Sequence, residues 1–201
     1  LIMKKICFLI IAACLSVATM AQTAKSVLDK TAATLSHKGG ITADYRISSE
    51  AMGSTAGKIA LKGQKFFAEM PQIMIWFDGK TQWAYMKDSE EVNVNTPSES
   101  DHQMINPYSF LALYKKGFDC TMKTSGNNYE VHMTATDKKR SVQEMFITIG
   151  KTSYVPSKIR MRQGKNWTTI NISNFKKGNL SDNMFRFNAK KYPNAEVIDL
   201  R

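Results

Sequence analysis

Three histidines, His37, His102 and His132, are the first residues to test for chemistry, and they are scattered along the chain. They show no metal-ligand spacing, and none belongs to an H-E-x-x-H pair. No serine occupies a G-x-S-x-G turn. Gly79-Lys80-Thr81 has the end of a phosphate-binding loop, yet Met74 stands where that loop needs its first glycine. The segment also belongs to a hairpin, not to a strand–helix turn. Glu90-Glu91, and Glu99 with Asp101, come closest to an acid/base pair, but both lie in a polar stretch that reads as a solvated loop. Cys120, flanked by Asp119 and Thr121, reads as a small strand or turn residue and not as a nucleophile. Sequons at Asn166, Asn171 and Asn179 matter only in a glycosylating host. The sequence therefore offers no catalytic residue, no metal site and no cofactor site, and the chain reads as a non-enzyme.

Apolar side chains are what it does supply. There are 12 Met, 10 Phe, 7 Tyr and 3 Trp. Methionine is unbranched and adapts to irregular partners. A Met- and Phe-rich interior suits a packed core or a cavity for a variable apolar ligand, and composition alone favours the packed core. The net charge is +11, carried partly by pairs at turns: Lys115-Lys116, Lys138-Lys139-Arg140, Lys176-Lys177 and Lys190-Lys191. Such dispersed pairs read as solvated loop ends that also favour approach to an anionic surface. No basic helix or aromatic-basic motif of a nucleic-acid binder is present.

The elements that must position these residues are mostly strands. Val27, Leu28, Thr31 and Leu35 recur at helical spacing from about Ala24 to Ser36, and Lys38-Gly39-Gly40 ends that helix. Strands follow at Ile41 to Ser48, Lys58 to Lys62 and Phe66 to Met70. Ile73 to Phe77 and Lys80 to Met86 flank Asp78-Gly79, a strong signal for a tight hairpin with positive φ at both turn residues. Val92 and Val94 continue the alternation. Asn106 and Pro107 then open a second helix, apolar on several sides through Tyr108 to Tyr114, which Lys115, Lys116 and Gly117 close. Further strands are expected at Tyr129 to Ala135, Val142 to Ile149, Ser157 to Arg162 and Thr168 to Phe175, then through Met184 to Phe187 and Glu196 to Leu200. Turn signals between them are spaced as in an antiparallel meander. The fold class is mainly β (α+β): one strongly curved antiparallel sheet, an incomplete barrel, with helices able to lie across its mouth.

The first 21 residues read as an export signal: Lys4-Lys5, an apolar run from Ile6 to Val17, and the small-x-small site Thr19-Met20-Ala21. Translation is expected from Met3 or from a non-Met start. Cleavage after Ala21 leaves residues 22–201 as a single domain carrying +9, with Cys120 as its one cysteine. Ile11-Ala12-Ala13-Cys14 also matches a lipobox, in which the cysteine is acylated, but the apolar run before it is short and Leu15 to Ala21 would be a needless tail. Cleavage at Ala21 is the favoured reading.

Phe77-Asp78-Gly79-Lys80-Thr81-Gln82-Trp83-Ala84-Tyr85 resembles the D-G-x-x-x-W-x-Y hairpin of the LolA-type lipoprotein carriers. Gly57 to Lys62 followed by Phe66 looks like the preceding family strand pair, and Glu90-Glu91-Val92 like the pair after the tyrosine. Asn106 to Leu111 is similar to the family's lid helix, and Phe185-Arg186-Phe187, Pro193 and Val197-Ile198-Asp199 resemble its C-terminal close. The resemblance covers nearly all of the mature domain. It implies an incomplete β-barrel covered by helices in the periplasm. Such a protein accepts lipoproteins from an inner-membrane ABC release transporter and passes them to the outer membrane, in some cases to a receptor there. The family has an arginine after a lysine that ties the sheet to the lid; here Gly63 follows Lys62, so the latch is absent or moved to a neighbour such as Lys65.

Strand alternation and the apolar lid helix together assign Ile59, Leu61, Phe66, Met70, Trp83, Tyr85, Phe110, Leu111 and Tyr114 to an acyl-facing surface, each with plain core as its other reading. The expected function is a monomeric periplasmic carrier that shelters lipoprotein acyl chains. A membrane-anchored receptor and a lipid-sensing regulatory module on the same fold are the alternatives.

Overall fold

The computed structural model describes residues 23–51, 53–97 and 113–201. The export signal and nearly all of the expected lid helix, with Phe110 and Leu111, lie outside the described residues.

Helix α1 (Ala24–Leu35) begins at Thr23, whose hydroxyl accepts the Ser26 N–H at 3.2 Å. Ala24, Val27, Leu28, Thr31 and Leu35 form its buried stripe, at the spacing that puts side chains on one helical face. Gly40 (φ +94) turns the chain into the sheet. A Cβ there would sit 2.8 Å from the Leu61 carbonyl oxygen, so both conformation and contact require glycine.

Twelve strands form one open curved sheet. Two meanders, β1–β6 and β7–β11, meet where β1 pairs with β11. The first comprises β1 (Ile41–Ser49), β2 (Gly53–Lys62), β3 (Lys65–Glu69), β4 (Ile73–Phe77), β5 (Gln82–Met86) and β6 (Glu91–Asn95). The second comprises β7 (Phe118–Ser125), β8 (Asn128–Ala135), β9 (Glu144–Gly150), β10 (Pro156–Gln163) and β11 (Asn166–Lys177). Register shifts between Thr42 and Asp44, where Asn174 (φ +51) donates its side-chain N–H to Asp44 at 2.6 Å. A bulge of this kind adds twist where the two meanders join.

Four local expectations change. Phe118–Ser125 is an eight-residue edge strand that was not among the expected strands, although Lys115, Lys116 and Gly117 close the helix before it. Met184 and Phe185 belong to a 3₁₀ turn (Asp182–Phe185), not a strand, because Ser181 caps it by accepting the Asn183 N–H. The closing strand β12 (Glu196–Asp199) runs parallel to β6, so the sheet is not wholly antiparallel. The Asp78 hairpin pairs Phe77 with Gln82, leaving four residues in the loop. Only Gly79 takes positive φ, at +101, and Asp78 instead holds the loop with its carboxylate, which accepts the N–H groups of Lys80 (3.0 Å) and Thr81 (2.9 Å).

Residues paired across strands share a face. The inner face is the one that α1 covers. Under the helix it carries Val131, Met133, Met145, Ile147, Ile149 and Met161, all buried. It continues across β1 into Ile41, Leu61, Phe66 and Phe77. A separate cluster, Trp76, Tyr85, Val92 and Val94, occupies the outer face of β4–β6. There the C-terminal segment covers it with Phe187, Tyr192 and Ala195 before pairing as β12.

Candidate functional site

One row of paired residues crosses the inner face from β1 to β6. Ile41 faces Leu61, Leu61 faces Phe66, Phe66 faces Phe77, Phe77 faces Gln82, and Gln82 faces Asn95. The first four are bulky, apolar and 1–4% exposed. The rings of Phe66 and Phe77 lie 5.5 Å apart. In the next row Ala43, Ile59, Ala68, Ile75 and Ala84 follow in register, alternating small and branched side chains. Ile59, Ile75 and Phe175 pack against the bulky row.

The nine sequence-predicted residues divide. Ile59, Leu61 and Phe66 come together in this inner cluster. Tyr114, in a 3₁₀ turn (Leu113–Lys115), is buried in the helix-covered part. Met70 lies just past β3 and lines a recess of about 240 Å³ with Gly57, Glu69, Pro71 and Lys87. Trp83 and Tyr85 are on the opposite side of the sheet, in the outer cluster with Trp76. Alternation within β5 says that Trp83 and Tyr85 share a side; it does not say which. Pairing carried through the hairpins supplies the answer: Trp83 faces Trp76, and Trp76 faces Phe67, so all three point away from Phe66 and Phe77. The same count brings Ile41, Ile75, Phe77 and Phe175 into the inner cluster, which the sequence pattern had left unassigned.

Electrostatic ties hold the elements around this face. The Tyr114 hydroxyl donates to Asp29 of α1. Burial, then that carboxylate, pushes the phenol up to about 12. Lys62 donates to the Leu180 carbonyl (2.7 Å) and meets Asp182 at 2.9 Å, while Lys65 meets Asp182 at 2.7 Å. Hydrogen bonds from Lys65 and Lys62 hold the Asp182 carboxyl at about 2. At the hairpin tip, Arg186 reaches Asp78 at 3.0 Å. Partial burial pulls the Asp78 carboxyl up, but the Thr81 and Lys80 N–H donors and Arg186 outweigh it and leave it below its ordinary value. Among the described residues, no three His, Cys, Asp or Glu side chains are grouped to hold a metal ion. No described helix is long and apolar enough to cross a membrane.

A family model described as Outer membrane lipoprotein carrier protein LolA matches residues 15–165, more than half of the chain. The chain belongs to the LolA family. No curated protein matches it. Its fold is similar to that of a conserved protein from Thermus thermophilus, with TM-score 0.60 and 13% identity over 88% of this chain and 98% of that one. A LolA superfamily protein from Nitrosomonas europaea aligns at TM-score 0.43 and 12% identity, over 83% and 99% of the two chains. LprF from Mycobacterium bovis aligns at 0.46 and 11%, over 79% and 96%.

Gly63 stands where the resemblance implies a latch arginine. It takes φ +58 in the β2–β3 turn, and a Cβ there would meet nothing within 4 Å. Its neighbour Lys65 is engaged with Asp182, so among the described residues it ties the sheet to the C-terminal segment.

Proposed function

We propose that this LolA-family protein is an exported, non-enzymatic carrier that shelters the acyl chains of lipoproteins and moves them between membranes. The observation that carries the reading is the apolar row Ile41, Leu61, Phe66 and Phe77 on the inner face of an open sheet, in a chain of this family. An acyl chain gains roughly 0.8 kcal/mol per buried CH₂, so one long chain gains on the order of 10 kcal/mol. It does not cross water unshielded, and an inner face of branched and aromatic side chains replaces the bilayer for it. On this reading the protein works in the periplasm after cleavage near Ala21. It loads at an inner-membrane ABC release transporter and unloads at the outer membrane or at a receptor there.

Ile59→Glu tests the reading. Ile59 is half-buried beside the inner row, so the charge enters the acyl surface with modest cost to the fold. The wild type is expected to co-purify with acylated lipoprotein and release it to membranes. The variant should fold and carry none. Unchanged loading would sink the proposal. One sequence feature favours a second reading: with a lipid on Cys14 in Ile11-Ala12-Ala13-Cys14, the same domain is a tethered receptor. The mass of the mature N-terminus separates the two.

A further inference from the structure

Among the described residues three buried side-chain atoms lack a hydrogen-bond partner: Thr31 Oγ1, Gln82 Oε1 and Asn95 Oδ1. Thr31 is on α1, over the other half of the sheet. Gln82 and Asn95 are direct cross-strand neighbours, and Gln82 is only 8% exposed. Phe77 faces Gln82, so the two carboxamides end the row whose other members are Ile41, Leu61, Phe66 and Phe77. A polar pair terminating an apolar row has the layout of a head and a tail.

A buried carbonyl oxygen without a donor bears the full loss of its water contacts. Two such oxygens on cross-strand neighbours mark a place for a donor that the described fold does not provide. Hydrocarbon supplies none, and an ester or a carboxylate brings only further acceptors. An amide linkage brings both an N–H and a C=O, so it matches a carboxamide side chain in either orientation of the latter.

We infer that Gln82 and Asn95 recognise the amide linkage of an N-acylated peptide end, hydrogen-bonding it while the acyl tail lies along Phe77, Phe66, Leu61 and Ile41. The inference rests on the carrier reading and adds a head-group preference to it. The pair selects amide-linked acyl chains over ester-linked ones.

The experiment uses the mature chain and two probes: an N-palmitoylated peptide, and its analogue in which an ester oxygen replaces the amide N–H. The wild type is expected to bind the amide probe about tenfold more tightly. Gln82→Leu with Asn95→Leu should abolish that preference and leave affinity for the ester probe in place. Thermal unfolding checks that the double variant folds, and Gln82→Met, which keeps side-chain length, provides a milder arm. Equal affinity of the wild type for both probes overturns the inference and leaves the carrier reading standing. So does a preference that survives in the variants. Binding of neither probe overturns both.

Discussion

The two meanders of this sheet treat their apolar residues differently. In β7–β11 the inner face is apolar and α1 covers it, while the outer face carries Glu130, His132, Glu144, Arg160 and Arg162 around two half-exposed aromatics, Phe146 and Trp167. In β4 both faces are apolar. Ile73-Met74-Ile75-Trp76-Phe77 reads as an unbroken run because its odd members line the inner row and its even members pack beneath the C-terminal segment. The clusters therefore differ in what they do. The helix-covered core and the outer aromatic cluster hold the fold, and Trp76, Phe187 and Tyr192 meet edge-on or stacked at 5.4–5.8 Å. On the proposed carrier reading, the inner row of β1–β4 is the part of the apolar supply that serves the ligand.

Large-to-small substitutions give the strongest test of that division. Trp76→Ala should lower stability by about 3–5 kcal/mol and Met145→Ala by about 2–5 kcal/mol, measured by urea unfolding. Neither should change acyl binding per folded molecule. Lost binding in Trp76→Ala at full stability would place the outer cluster in the ligand site and break the comparison. A smaller effect is expected where the chain from β6 re-enters the helix-covered half. Tyr114→Phe removes the hydrogen bond to Asp29 and should cost about 1–2 kcal/mol. A phenol raised from 10.0 to about 12 stabilises the fold below its ordinary value. This contribution is lost as pH rises from there through about 12, so the wild-type advantage over Tyr114→Phe should fade across that alkaline window. The smallest effect belongs to the tie from Lys62 and Lys65 to Asp182. The Asp182 carboxyl is lowered from 3.8 to about 2, so its contribution is present above the ordinary value and lost as pH falls toward about 2. Asp182→Asn should lower the melting temperature slightly at neutral pH, with the difference vanishing at the acid end.

Much of this arrangement was legible before any coordinates. Val27, Leu28, Thr31 and Leu35 announced α1 because a 3.6-residue period survives whatever the helix packs against. The hairpin at Gly79 was marked by the residue type that positive φ favours. The resemblance carried by the Asp78 hairpin led to the family that the match over residues 15–165 establishes. Less legible was the strand at Phe118–Ser125, where Cys120, Met122 and Thr124 alternate too weakly to separate it from the glycine turn before it. Glu196–Asp199 was readable as a strand, but its parallel partner β6 lies far back in the chain and leaves no local mark.

By itself the sequence determined the class of fold, the helix and most of the strands. These follow from local rules: period, turn chemistry and residue type. Only the tertiary structure decided that Leu61 and Phe66 face one way and Trp83 and Tyr85 the other, that Lys65 binds Asp182, and that Gln82 and Asn95 end the apolar row with unpartnered oxygens. A side chain's partner depends on the register of every strand between the two. Register accumulates through successive hairpins, so it belongs to the assembled sheet and not to any one segment of it.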